Sequence, residues 1–350
     1  MNKQFLVVTA PVANLRKEPV EASVECVCDV LQETQLLYNE YLLYKEENVD
    51  WYYVEAVEQK KATRQGDWQG YPGWIQKTSA KFIDAWPACG AVVKQAQSTL
   101  FKDPLGENES LLILSIGTRL AIENVGNNDY SKTTLNDGRK GWIRKDDVNI
   151  PAPVIDMNHL RSNIIETAKL FLGMPYLWGG RSGCVPQGMA HSAKGMEQSV
   201  KGARQGVQKE TSVSNLSPPT FHLAPHNADG TVCGVDCSSL TNLAYRVNWL
   251  DIPRDAHDQW RVSTKIACDV LQKADLIFVT AEGAHDKITH VMMYLTDEEF
   301  IEALETGSAV AVNTFKNKFG VRLREAAQQD FIVNKRKICF GSVLIAGEKK

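Results

Sequence analysis

The sequence predicts an α+β protein, in which two small β-rich units precede a larger mixed domain. Three observations carry that expectation. The first 150 residues are rich in β-branched and aromatic runs separated by turn-forming polar residues. A pair of short motifs recurs within them. Beyond residue 157, apolar residues fall at helical spacing and then give way to strand-like runs.

A chain of 350 residues buries a sizeable core and has room for two or three domains. Hydrophobic residues at 43% and charged residues at 23% are ordinary for a globular protein, so neither a disordered nor a fibrous class applies. A formal charge of −3 gives no electrostatic reason to expect nucleic acid or an anionic membrane as partner. No apolar run approaches the length of a membrane span. The segment 1–11 has one lysine and a short apolar run, and reads as a first strand rather than a signal segment. Eight cysteines (Cys26, Cys28, Cys89, Cys184, Cys233, Cys237, Cys268 and Cys339) are too sparse for a disulfide scaffold. Without a signal segment they favour a reducing compartment, and the expected location is the cytoplasm.

Residues 1–87 form the first β unit, with strands expected at Phe5–Ala10, Gln35–Tyr44 and Trp51–Val57. Residues 88–150 repeat its pattern. Leu15-Arg-Lys-Glu-Pro19 matches Leu100-Phe-Lys-Asp-Pro104, and Gly70-Tyr-Pro-Gly-Trp-Ile-Gln-Lys77 matches Gly138-Arg-Lys-Gly-Trp-Ile-Arg-Lys145. The span from Leu15 to Trp74 is about 17 residues longer than that from Leu100 to Trp142, so a long loop is expected near Gln59–Gln69. Pro151-Ala-Pro153 reads as a linker into a third domain, 151–350. There Asn158 is placed to cap a helix carrying Leu160, Ile164, Ala168 and Phe171, closed by Gly173 and Pro175.

The segment Gly234–Trp260 is the chemical centre. Leu240, Leu243, Ala244 and Val247 recur at helical spacing, so Asp236 or Cys237 opens a helix. Cys237 then sits in the first turn, where unpaired backbone N–H groups and the positive dipole end favour a thiolate. Taken alone, the same residue reads more readily as a buried small hydrophobe, as free cysteines usually are. A rival constellation, His222, His226, Cys233 and Cys237, has ligand types that suit zinc. Its middle spacing is short, and it would consume the nucleophile, so no metal or cofactor is assigned.

Gly173-Met-Pro-Tyr-Leu-Trp-Gly-Gly180, Asp236-Cys-Ser-Ser-Leu240, Pro253-Arg-Asp-Ala-His-Asp-Gln259 and His290-Val-Met-Met-Tyr294 follow one another in order. As G-x-P-Y-x-W-G-G, D-C-S-x-L, P-R-D-x-x-x-Q and H-V-x-x-Y, they resemble the NlpC/P60 family of cysteine peptidases. The resemblance runs from about residue 155 to the C-terminus and is interrupted by an insertion at 183–233. The insertion is poor in large apolar residues up to Ser217, and a lid and a tolerated surface segment both remain open. The G-x-x-G-W-I close of each leading unit resembles bacterial SH3-like domains, with the tryptophan expected to plug a small barrel. The whole arrangement is similar to bacterial γ-D-glutamyl-L-diamino acid endopeptidases.

The resemblance implies two SH3-like β-barrels before a papain-like domain, with Cys237 as nucleophile and His290 as its base. It implies Tyr176 near the oxyanion, and Asp236, Ser238 and Asp255 lining the pocket for the substrate's L-Ala amine and D-Glu carboxylate. An acidic residue of the first unit should face that amine, and Asp84 is the candidate. Two positions depart from the family: Ala256 stands where serine is frequent, and the third catalytic position is Glu302, where histidine or a neutral polar residue is more usual. A strand register with Met292 opposite Glu302 would place Glu302 diagonal to His290; one with Leu295 opposite Phe300 would bring Glu305 there instead. His285 is a second candidate histidine, and Arg254 is read as the partner of a core carboxylate. The implied activity is hydrolysis of the γ-D-Glu–diamino acid bond of muropeptides, with a wall-peptide binding protein without catalysis as the alternative. Acyl transfer to an amine or alcohol is a third reading, against which the tandem SH3-like units argue.

Overall fold

The computed structural model describes residues 4–21, 29–85, 89–104, 109–123, 129–152, 156–183, 232–326 and 331–344. The first sheet has seven antiparallel strands: β1 (Phe5–Val8), β2 (Val12–Arg16), β3 (Gln32–Leu37), β4 (Tyr41–Glu47), β5 (Trp51–Ala62), β6 (Trp68–Gln76) and β7 (Ala80–Ile83). Their order is β3-β2-β6-β5-β4-β1-β7, an open path rather than a closed barrel. The expected strand Gln35–Tyr44 is two strands, because the chain reverses at Asn39, whose φ of 68° falls in the left-handed region that asparagine tolerates.

The second β region holds β8 (Ala91–Val93), β9 (Gln97–Phe101), β10 (Ser110–Ser115), β11 (Arg119–Leu120), β12 (Ile122–Glu123), β13 (Tyr130–Thr134), β14 (Lys140–Arg144) and β15 (Val148–Asn149). These form a five-stranded sheet, β10-β9-β14-β13-β12, and a three-stranded one, β11-β8-β15. The sequence repeat has a physical basis. Arg16 pairs with Trp74 in the first copy and Phe101 with Trp142 in the second. The preceding leucine, Leu15 or Leu100, is fully buried against the glycine of Gly-Trp-Ile. A Cβ on Gly73 would lie 2.7 Å from Leu15 Cγ, and one on Gly141 would lie 2.6 Å from Leu100 Cδ2. In both copies it is the isoleucine, Ile75 or Ile143, that is fully buried, while the tryptophan is half-exposed. The expected tryptophan plug is thus an isoleucine, because alternation along the strand gives the glycine and isoleucine the inner face and the tryptophan the outer.

The remaining elements are α1 (Met157–Lys169), β16 (Arg181–Ser182), β17 (Gly234–Val235), α2 (Cys237–Val247), α3 (Ala256–Val262), β18 (Thr264–Lys265), β19 (Leu276–Ala281), β20 (Ala284–Thr296), β21 (Glu299–Glu302), β22 (Ala311–Thr314), α4 (Phe315–Phe319), α5 (Leu323–Ala326), β23 (Ile332–Val333) and β24 (Arg336–Ser342). α1 buries Leu160, Ile164 and Ala168 as its periodicity predicts, but its cap is Asp156, which accepts from His159 N at 2.9 Å, and not Asn158. The sheet β18-β24-β19-β20-β21-β22 is antiparallel, with β23 beside β24. α1 and α2 share one core with β20, and that core also takes in Val12 and Leu37 of the first sheet and Val92 and Ile116 of the second region. Among the described residues no helix is long and apolar enough to cross a membrane.

The stretch expected as a loop at Gln59–Gln69 is largely strand. After an irregularity between Ala56 and Lys60, β5 and β6 continue to pair, with Lys60 opposite Gly70, Lys61 opposite Gln69 and Ala62 opposite Trp68. The extra residues of the first repeat therefore build a longer β-hairpin that stands beyond its sheet.

Gly73→Ala and Gly141→Ala should each destabilise the protein by about 1–3 kcal/mol, since the added methyl collides with a fully buried leucine. Urea unfolding of the two variants reads this as a lowered midpoint. A change within error in both would show that the Leu–Gly contact does not hold the repeat.

Candidate active site

Asp236 caps α2. Its Oδ1 accepts from Ser239 N at 2.8 Å while Ser239 Oγ accepts from Asp236 N at 2.9 Å, a reciprocal capping box. Cys237 is the first residue of the helix and is partly exposed, whereas Leu240, Leu243 and Ala244 behind it are buried.

The same cap is locked by Arg254, which is 1% exposed. Its Nη2 reaches Asp236 Oδ2 at 2.6 Å, Nη1 reaches Asp236 Oδ1 at 3.0 Å and Ser238 Oγ at 2.8 Å, and Nε reaches Thr34 Oγ1 at 2.7 Å. Arg254 is thus paired with a core carboxylate. Asp236 and Ser238, expected to line the substrate pocket, are buried with their side-chain oxygens engaged by this guanidinium. Both hold the head of α2, which carries Cys237, in place from beneath.

His290 lies within β20, six residues from its start at Ala284. Met293 pairs with Ile301 and Tyr294 with Phe300, and one further step sets Met292 opposite Glu302. That is the register in which Glu302, not Glu305, is diagonal to His290. The outcome is direct: His290 Nε2 and Glu302 Oε2 are 2.8 Å apart. The Cys237 sulfur lies near enough to the same ring to act on its charge. Burial alone would depress the imidazole, but Cys237 and Glu302 together raise its pKa to about 9. Burial likewise opposes ionisation of Glu302, yet His290 and Lys318 hold its carboxyl below the ordinary range. Lys318 Nζ lies 2.5 Å from Glu302 Oε2, and Asn313 Nδ2 donates to Oε1 at 3.4 Å.

The extended β5–β6 hairpin docks on the segment that follows α2. Lys60 O accepts from Arg254 N at 3.1 Å, Ala62 N donates to Asp258 Oδ2 at 2.9 Å, and Arg261 lies over the Trp68 ring at 5.5 Å. This docking brings Asp255 to the first sheet. Its carboxylate receives Lys61 Nζ at 2.6 Å and faces the Tyr71 hydroxyl at 3.2 Å, and Tyr71 also lies 3.3 Å from Glu33 Oε2. The Lys61 ammonium completes the cradle, donating to Tyr71 Oη at 2.8 Å and lying 4.0 Å from the ring centroid. Glu33, Lys61, Tyr71 and Lys318 escaped sequence reasoning. For Lys61 the signal was present in the added length of the first repeat, whereas Glu33 and Lys318 sit in no motif. Asp84, the acidic candidate from that unit, is exposed beyond the end of β7.

Tyr176 is held beside Val235 by an isolated parallel bridge, two residues before the nucleophile, and its N–H donates to Ser308 O at 2.9 Å. His285 lies 3.1 Å from Lys335 O at the exposed end of β20, away from Cys237. His222, His226 and residues 184–231 of the insertion lie outside the described residues. Cys233 is disulfide-bonded and Cys237 faces His290, so neither cysteine of the zinc constellation is a spare thiolate.

Residues 220–346 match the NlpC/P60 family. Over 291 residues the chain is 25% identical to a gamma-D-glutamyl-L-lysine dipeptidyl-peptidase of Bacillus cereus (strain ATCC 10987 / NRS 248), spanning 80% of this chain and 69% of that protein. A protein of the same description from Bacillus subtilis (strain 168) is 25% identical over 290 residues, 83% of this chain and 77% of its own. The crystal structure of an NlpC/P60 family protein from Bacillus cereus ATCC 10987 superimposes with a TM-score of 0.67 at 20% identity, over 97% of this chain and 100% of that one. This last likeness is one of fold.

The imidazolium of His290 should persist to about pH 9 and be lost above it. Ring titration by NMR should give a midpoint near that value, falling to or below the ordinary 6.5 or so when Cys237→Ala and Glu302→Gln are combined, because only burial then acts on the ring. A midpoint that ignores both substitutions would break the triad geometry.

Proposed function

We propose that this chain, which belongs to the NlpC/P60 family of cysteine peptidases, hydrolyses the γ-D-Glu–diamino acid bond of short peptidoglycan-derived peptides with a free N-terminal L-Ala. The observation that carries the proposal is the contact chain from Cys237 through His290 to Glu302. The two gamma-D-glutamyl-L-lysine dipeptidyl-peptidases that the chain resembles support the substrate class.

In the reaction, the Cys237 thiolate attacks the γ-carbonyl carbon of D-Glu, and the carbonyl electrons move onto oxygen near the first turn of α2. Tyr176 is assigned to the same oxyanion. Collapse of the tetrahedral adduct breaks the C–N bond, and the His290 imidazolium gives its proton to the departing amine of the diamino acid. A thioester remains on Cys237. Neutral His290 then takes a proton from water, whose oxygen attacks the thioester, and the thiolate leaves as L-Ala-D-Glu is released. Glu302 orients the imidazole and stabilises its charged form.

Asp255, Tyr71 and Glu33 are assigned to the substrate's α-ammonium. What supports this is that the cradle already holds a primary ammonium, that of Lys61. The substrate's amine would replace it there, and Lys61, whose side chain is 27% exposed, is free to swing outward. The same occupancy favours a second reading, a wall-peptide binding protein without turnover, in which Lys61 stays in place. We divide the chain into 1–87 and 88–150, each SH3-like in its motif and Leu–Gly packing, and 151–350, the peptidase domain with its insertion at 183–233. The disulfide at buried Cys233 weighs against the cytoplasmic location expected from composition, since such bonds persist in oxidising compartments.

Incubation with L-Ala-γ-D-Glu-diaminopimelate, or its lysine counterpart, should release L-Ala-D-Glu with wild type and not with Cys237→Ala. N-acetylation of the substrate, or Asp255→Asn, should raise KM about 10- to 100-fold, the worth of one charge-assisted hydrogen bond. Tight binding without dipeptide release by wild type would favour the second reading.

A further inference from the structure

Glu302 is an unusual third residue because it brings a full negative charge to a buried site, with its side chain 3% exposed. A neutral residue there would orient the imidazole without biasing its protonation. A carboxylate also stabilises the imidazolium, and deacylation needs the neutral ring. The charged groups around this carboxylate are few. His290 meets Oε2 from β20, Lys318 meets the same oxygen from α4, and Asn313 of β22 meets Oε1. His290 faces Cys237 of α2 on its other side. It also lines, with Lys318, a pocket of about 540 Å3 whose walls carry Glu282, Glu305 and Arg336.

We propose that Lys318 is a positioning residue for this catalytic set: its ammonium shares the Glu302 oxygen that holds the ring, so that the carboxylate favours the imidazolium less than it would alone. The inference rests on the assignment of His290 as the acid and base of the peptidase reaction. Its geometry is local. Lys318 Nζ and His290 Nε2 both contact one oxygen, Glu302 Oε2, so the ammonium and the ring compete for the same lone pairs and charge in a desolvated site. The Lys318 side chain is 15% exposed and that of His290 12%, so solvent screens the pair only partly. Lys318 thereby weakens the hold of Glu302 on the imidazolium, which eases loss of the ring proton when deacylation needs the neutral form. Lys318 touches neither the sulfur nor the reacting carbonyl in this scheme. It acts through Glu302.

The test is a double-mutant cycle read by NMR titration of the His290 ring in the full-length protein. Lys318→Met should raise the ring's midpoint by about one pH unit, a tenfold change in the imidazolium ratio, and Lys318→Arg should restore it. Lys318→Gln, which keeps a donor to Glu302 without its charge, should behave like Lys318→Met; it also stands in for Lys318→Met should that variant fail to fold. In the Glu302→Gln background, Lys318→Met should move the midpoint by less than a third as much. An unchanged midpoint in Lys318→Met and Lys318→Gln overturns the inference, and so does an upward shift that persists in full without the Glu302 charge. Because the readout is titration and not turnover, a wild-type protein that shows the cycle yet cleaves no substrate would defeat the peptidase proposal alone.

Discussion

Much of the structure hangs on one buried guanidinium. Arg254 grips the carboxylate that caps α2, the neighbouring Ser238, and Thr34 of the first sheet. Removing one partner of a buried, hydrogen-bonded ion pair costs about 3–5 kcal/mol, because the other charge is left without compensation. Here that loss would free the head of α2 as well as the contact between the first sheet and the segment that follows α2. The position of Cys237 and the position of the β5–β6 hairpin are therefore not independent.

A second buried network reinforces the same junction. Glu40, 1% exposed, meets Arg181 at 2.7 Å, and Arg246 joins it to Glu58, whose Oε2 also receives Arg119 of the second β region. Burial opposes the charge on Glu40, and Arg181 and Arg246 outweigh it, holding the carboxyl below the ordinary range. Charges of both signs from all three regions of the chain are satisfied only when those regions are docked. The cradle of Asp255, Tyr71 and Glu33 exists because of that docking, since two of its members belong to the first sheet.

The proposed Cys237–His290–Glu302 set shows how a buried carboxylate is accommodated. A carboxylate at position 302 keeps the hydrogen bond to the imidazole and adds a charge, and a lysine from the next helix meets that charge on the same oxygen. α4 is anchored for this by Thr314, which caps it, and by Phe315, which is fully buried among Phe300 and Phe331. Packing of aromatic rings thus decides where an ammonium group sits.

Local order was legible in the sequence. Helical spacing of Leu240, Leu243, Ala244 and Val247 placed Cys237 at a helix head, the paired Leu and Gly-Trp-Ile motifs marked a true repeat, and the two candidate registers for Glu302 could be written down in advance. Each of these follows from periodicity or from neighbours along one chain segment. What the tertiary structure alone decided was which register holds, which face of Gly-Trp-Ile turns inward, and which side chains meet across the junction. Lys61 and Asp255 are 194 residues apart, and Lys318 meets Glu302 only because a short helix packs back over the strand that precedes it. Such contacts depend on how finished elements dock, and no local pattern of residues records that.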